Sequence, residues 1–159
     1  MSTPQQRLDK GTFGERGMGF SAYPMEKGWA ILTGPPQHPV NAPGPDAIAF
    51  TTQGPFRIEI VDNKNYKGAR PIYGASSLTP ANLTKSLGAL MQTFAEPRFD
   101  TVPRIHQLRN YLQATLGALQ SGGRLPKQVK LVVTNFGGRS TDIGPGLKRK
   151  GIVFRNLSP

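Results

Sequence analysis

The sequence predicts a single α/β domain with a central mixed β-sheet flanked by helices. Three observations predict it. The chain has 159 residues, the size of one domain, and that length buries a sizeable core. Three strand-like runs, "GWAIL" (28–32), "DAIAF" (46–50) and "PFRIEIVDNK" (55–64), follow one another closely. Two stretches with helical spacing of apolar residues come next, and then two more strand-like runs. The expected order is helix, three strands, two helices, two strands, with no internal repeat and no heptads. The whole chain, 1–159, is expected to be one domain. Residues 1–27 form a partly flexible N-terminal segment, and 124–159 form a basic C-terminal part.

The N-terminal segment is polar and glycine-spaced, with Gly11, Gly14, Gly17 and Gly19. A short helix carrying Leu8, Phe13 and Glu15 is expected there, weakened by about 1 kcal/mol for each interior glycine. "GWAIL" has the apolar run of a short buried strand. Residues 33–45 hold five prolines in thirteen positions, which forces an extended loop. In "DAIAF", Asp46, Ile48 and Phe50 share a face. "TTQG" (51–54) is a turn, and "PFRIEIVDNK" is the second arm of a hairpin. Ile58, Ile60, Asp62 and Lys64 then lie on one face, and Arg57, Glu59 and Val61 on the other.

Residues 68–79 are expected as a loop. A helix starts after it, with Thr79 as N-cap and Pro80 at the first helical position. Leu83, Leu87, Leu90, Met91 and Phe94 form its apolar stripe. A second helix is expected over 102–120, with Ile105, Leu108, Leu112, Leu116 and Leu119 on one face and "SGG" (121–123) as its stop. "QVKLVVTNF" (128–136) is a strand, "GGRSTDIGPGLKRK" (137–150) a glycine-rich basic loop, and "GIVFRNL" (151–157) the last strand.

Charge points to a class of partner. Twenty Lys and Arg face nine Asp and Glu, a net charge of +11. Such an excess suits a polyanion, and nucleic acid above all. The absence of cysteine excludes thiolate metal sites, cysteine nucleophiles and disulfides. It also suits a chain exported between cells, because there is no thiol to oxidise. "MSTPQQRLDK" has no apolar signal-peptide core, and no apolar run is long enough to span a bilayer. His38 and His106 are too few for a histidine metal site. No nucleophile-elbow or Walker-type motif occurs.

The hairpin carries the chemistry. An antiparallel pair sets the start of one strand beside the end of the other, so Asp46 and Asp62 are expected at the same end of the sheet. Lys64, two residues beyond Asp62, shares its face. Two nearby carboxylates repel unless a cation joins them. Mg²⁺ typically takes one or two carboxylates and leaves room for water and phosphate oxygens. A lysine beside it can orient the attacking water or neutralise developing negative charge. The ordinary alternative is an exposed Asp62–Lys64 ion pair contributing about 0–1 kcal/mol. Glu59 is the rival acid, but its parity turns it to the opposite face.

"Pro45-Asp46" followed by "Asp62-Asn63-Lys64" resembles the PD-(D/E)XK nuclease motif, and the order of elements resembles the restriction-endonuclease-like core of that superfamily. The resemblance covers roughly residues 10–135. It implies that Asp46 and Asp62 bind Mg²⁺ or Mn²⁺, that Lys64 assists the nucleophile, and that Glu15, in "FGERG", is a further ligand. Size, charge and loop style are also similar to the C-terminal nuclease toxin domains of bacterial polymorphic and contact-dependent inhibition systems. That likeness implies delivery into the cytoplasm of a target bacterial cell and an acidic immunity protein as partner. DNA is the expected substrate. The alternatives are an RNase or tRNase of the same fold and a non-catalytic nucleic-acid-binding module. Lys67 and Arg70, with Tyr66 between them and the motif, and the run Lys148, Arg149 and Lys150 are expected to contact phosphates.

Overall fold

The computed structural model describes residues 23–32, 47–64, 66–135 and 139–156. The expected N-terminal helix with Glu15, the proline-rich segment and Asp46 lie outside the described residues. Five strands form one mixed sheet in sequence order: β1 (Trp29–Leu32), β2 (Ala47–Thr51), β3 (Ile58–Lys64), β4 (Val129–Asn135) and β5 (Val153–Asn156). β1, β2 and β3 form an antiparallel meander, and β3, β4 and β5 run parallel. Helices α1 (Pro80–Phe94), α2 (Ile105–Ser121) and α3 (Pro145–Arg149) complete the described α/β domain.

Strand alternation divides the core. Leu32, Ile48, Phe50, Ile58, Ile60, Leu131 and Val133 point to the face covered by the helices. Ile31, Ala47, Ala49, Val61 and Val132 point the other way, with Tyr23 packed on them. The helices supply Leu83, Leu87, Leu90 and Phe94 from α1, and Ile105, Leu108 and Leu112 from α2. Full burial of one such side chain contributes about 1.5–3 kcal/mol, and Leu108→Ala would cost about 2–5 kcal/mol.

The helix ends follow local chemistry. Thr79 Oγ1 accepts from Asn82 N at 3.4 Å, and Pro80 occupies the first turn, where its missing N–H costs nothing. At the other end of α1, Arg109 Nε donates to the Phe94 carbonyl at 2.8 Å, satisfying an oxygen that has no partner inside the helix. α2 ends at Gly122, whose φ of 72° is a left-handed conformation that glycine adopts without strain.

The structure corrects two boundaries and one helix face. The second helix begins at Ile105 and not at 102, because Val102–Arg104 form a turn and Arg104 is left-handed, with φ 59°. Its side chain donates to the Gly54 carbonyl at 2.8 Å, tying the β2–β3 turn to the start of α2. Leu116 and Leu119 are only half-buried, and Thr115 takes the inner position instead. β3 begins at Ile58 and not at 55. Pro55 has no N–H to give a ladder, and Phe56 turns inward to stack on Tyr111 at 5.2 Å. Thr51 closes this turn, its hydroxyl donating to Pro55 O and accepting from Arg57 N.

Residues 145–149, expected within a loop, form α3. Parallel strands need a crossover, usually helical, and Pro145 at the first position of α3 suits that start. Residues 139–144 dock beside 72–73: Ile72 N donates to Asp142 O at 3.0 Å and Gly144 N to Ile72 O at 2.8 Å. Ile72 and Ile143 form a parallel bridge.

Candidate active site

Because β3, β4 and β5 are parallel, their carboxyl ends share one edge of the sheet, the edge where ligands of open α/β folds commonly bind. Asp62 pairs in register with Val133, Lys64 with Asn135, and Asn135 with Asn156. Asp62 and Lys64 continue the parity of Ile58 and Ile60, so they extend the face packed by the helices. Asp62 is only 4% exposed, although it is a carboxylate.

Its partner is Lys64, whose Nζ lies 3.2 Å from Oδ2. That distance makes an ion pair, but the approach lacks hydrogen-bond geometry, and Oδ2 is buried without a hydrogen bond among the described residues. The charge of Asp62 is thus compensated without a directed hydrogen bond from Lys64. Burying a carboxylate costs several kcal/mol unless hydrogen bonds satisfy its lone pairs. Among the described residues, the Lys64 charge is what offsets this oxygen.

Asp46 and Glu15 lie outside the described residues, so the structure does not report on their approach to Asp62. Ala47, the chain neighbour of Asp46, is paired with Val61, the neighbour of Asp62. Among the described residues no group of three or more His, Cys, Asp or Glu gathers at one point. A metal at this edge would have the Asp62 carboxylate as a donor among the described residues. The donor fits Mg²⁺ or Mn²⁺, which favour carboxylate oxygen and keep several waters.

Glu59 lies on the other face, as its parity requires, and is 2% exposed. Tyr23 Oη donates to its Oε1 at 2.7 Å, Arg155 Nε to Oε1 at 3.1 Å and Arg155 Nη2 to Oε2 at 2.8 Å. Burial, and then the Glu59 carboxylate, push the Tyr23 phenol well above its ordinary pKa, so it stays a donor. Arg155 reaches from β5 across β4 to β3 and fastens the edge strand.

Sequence reasoning missed the asparagines at this edge. Asn135 is fully buried; its Oδ1 accepts from Tyr66 N at 2.8 Å and its Nδ2 donates to Tyr66 O at 3.1 Å. Asn156 Nδ2 donates to Ser140 O at 2.7 Å. Thr134 Oγ1 donates to Asn63 Oδ1 at 2.8 Å. The signal was available: "VVTN" ends an apolar strand on two polar residues, as "IVDNK" does. These side chains fix the segments that leave β3 and β4.

The basic residues divide. Lys67 and Arg70 are exposed on the segment that leaves β3. Lys148 is paired with Asp142. That hydrogen bond, with the Ile143 N–H, holds the Asp142 carboxyl below its usual range. Arg149 and Lys150 are exposed and lead into β5, whose Val153 pairs with Val132, itself the partner of Val61 beside Asp62. In sequence, Lys67 and Arg70 follow the motif directly. His106 is exposed on α2, in keeping with a polar helix face, and no described helix is long and apolar enough to cross a membrane.

No family model matches the chain, and no curated protein or solved structure matches it either.

Proposed function

We propose that the chain is a metal-dependent endonuclease that hydrolyses phosphodiester bonds in DNA. The observation that carries this reading is Asp62: a buried carboxylate at the carboxyl ends of the parallel strands of a mixed sheet, with one oxygen lacking a hydrogen bond among the described residues and a lysine 3.2 Å away. Asp62 and Asp46 would hold Mg²⁺ or Mn²⁺, with Glu15 as a further ligand. The ion would supply charge stabilisation and a more acidic bound water. Lys64 stands where its ammonium can orient a water against phosphorus and offset charge growing on the phosphate oxygens. Asp62 Oδ2 stands 3.2 Å from the Lys64 ammonium and offsets its charge. The net charge of +11 draws the polyanion to the protein.

In this reading the chain is a toxin domain delivered into the cytoplasm of a target bacterial cell, and an acidic immunity protein covers its basic surface. Charge complementarity supports that partner. A second reading, a non-catalytic nucleic-acid-binding module, is favoured by one observation: the Asp62–Lys64 contact already balances charge without a metal. Incubation with plasmid and with total RNA, each with Mg²⁺ or with EDTA, separates the readings. Plasmid cleavage that needs Mg²⁺ and is lost in Asp46→Asn supports the DNase. RNA cleavage that persists in EDTA supports an RNase using the 2′-hydroxyl as nucleophile. Binding without cleavage in any arm supports the module.

A further inference from the structure

Three large apolar side chains are exposed among the described residues: Met25 at 62%, Tyr66 at 37% and Tyr73 at 69%. The two tyrosines belong to the segment that leaves β3 directly after Asp62 and Lys64. Between them in sequence stand Lys67 and Arg70, both exposed. The order is aromatic, basic, basic, aromatic.

Both rings rise from a fixed backbone. The Tyr66 main chain is held on both its N–H and its carbonyl by the buried Asn135 side chain. Ile72, the residue before Tyr73, is 6% exposed and is hydrogen-bonded to Asp142 and Gly144. The Tyr73 ring lies on Gly144, where an added Cβ would fall 2.5 Å from Tyr73 Cδ1. The Tyr66 ring is likewise close over Gly68, where an added Cβ would fall 2.4 Å from its hydroxyl oxygen. Aromatic rings kept exposed on an anchored backbone lose little freedom when a planar group stacks on them.

A base inside a duplex presents no face to such a ring; an unpaired base does, whatever its identity. Exposed aromatics interleaved with cations are therefore suited to single strands, the cations following phosphates while the rings take bases. We infer that Tyr66, Lys67, Arg70 and Tyr73 form a platform for unpaired bases of a DNA strand, beside the edge that carries Asp62 and Lys64. This assignment rests on the nuclease reading for its substrate and names that substrate more closely: DNA that is single-stranded next to the bond to be cut.

Fluorescence anisotropy in EDTA tests the platform without cleavage. The probes are labelled oligodeoxythymidine, a duplex of equal length, a base-free deoxyribose-phosphate strand and oligouridine. The wild-type protein should prefer oligodeoxythymidine to the base-free strand. Tyr73→Ala should weaken oligodeoxythymidine binding about ten-fold and the Tyr66→Ala/Tyr73→Ala protein further, whereas Tyr73→Phe should stay within about two-fold of wild type. Gly144→Ala, which pushes the Tyr73 ring aside, should act in the direction of Tyr73→Ala. Circular dichroism should be unchanged for Tyr73→Ala, since that side chain is exposed. Wild-type affinity in the double variant would overturn the platform. So would an equal loss toward the base-free strand, or tighter binding to the duplex. Tighter binding to oligouridine than to oligodeoxythymidine would overturn its assignment to DNA. Absence of cleavage with Mg²⁺ alongside the expected binding pattern would sink the nuclease reading and leave the platform standing.

Discussion

Strand β3 holds two buried acids, three residues apart, and they are treated in opposite ways. Glu59 accepts three hydrogen bonds, from Tyr23 and from both arms of Arg155. Asp62 has the Lys64 ammonium at 3.2 Å and an oxygen with no hydrogen bond among the described residues. Their exposures, 2% and 4%, are nearly the same, so burial alone does not separate them. Satisfaction does. A carboxylate enclosed by donors is a fastening, and its chemistry is already used. A carboxylate buried yet incompletely bonded is a cost to the fold, and such breaks of local consistency are expected at functional or strained sites.

The largest effect should appear when the two acids are exchanged as targets in a cleavage assay. Asp62→Ala and Lys64→Ala should each lower plasmid cleavage by about 1,000-fold while circular dichroism remains that of the folded protein. Glu59→Gln, on the opposite face, should keep most activity wherever it folds. Full cleavage by a folded Asp62→Ala protein would reverse the assignment of the two acids.

Stability should rank the other way. Arg155→Ala leaves Glu59 buried with Tyr23 alone, and should cost about 1–2 kcal/mol in urea unfolding, because Glu59 loses two hydrogen bonds while the half-exposed Arg155 end of the pair is screened by solvent. Asp62→Asn should leave stability unchanged or raise it by about 1 kcal/mol, because an under-bonded charge is removed. Equal losses in the two proteins would mean that Asp62 is as much a fastening as Glu59.

The same contrast between engaged and available groups applies to the cations. Lys148 is committed to Asp142, while Lys67 and Arg70 are exposed near the motif. If both contact single-strand phosphates, replacing Lys67 and Arg70 with alanine should flatten the salt dependence of binding by about 1.4, at about 0.7 per contact. Lys148→Ala should change it less. A larger change from Lys148→Ala would move the phosphate track to α3.

The smallest effect concerns Tyr23. Its phenol pKa is raised by burial and by Glu59, so the folded protein keeps a proton that the unfolded chain loses. The stabilisation is complete below the ordinary phenol pKa of about 10 and declines as pH rises above it. Tyr23→Phe should cost about 1 kcal/mol at neutral pH and make the alkaline decline shallower. An unchanged alkaline limb in unfolding measured against pH would show that Tyr23 does not keep its proton for Glu59.

Much of this fold was legible in the sequence, because it is local. Periodicity located all five strands and both long helices, and the parity of Ile58, Ile60 and Asp62 separated the two acids before any contact was known. What escaped was pairing between distant segments. Nothing in "GIVFRNL" says that it runs parallel to "QVKLVVTNF", so α3 was hidden in a stretch whose glycines and Pro145 suggest only a loop. Arg155, in that same strand, had no visible tie to Glu59, 96 positions away. The candidate site was legible in part for the same reason. Asp62 and Lys64 share a strand face by simple alternation, whereas Asn135 and Asn156 join that edge only through the parallel register.

Isothermal titration with Mn²⁺ tests the claim that Asp62 is held for a ligand most directly. Wild-type protein, Asp62→Asn and Glu59→Gln should be titrated under one set of conditions. Binding heat is expected from the wild type and from Glu59→Gln, and should be lost in Asp62→Asn, which keeps the shape of the side chain and removes its charge. Equal Mn²⁺ affinity in the wild type and in a folded Asp62→Asn protein would contradict the account, because the under-bonded carboxylate would then be no ligand.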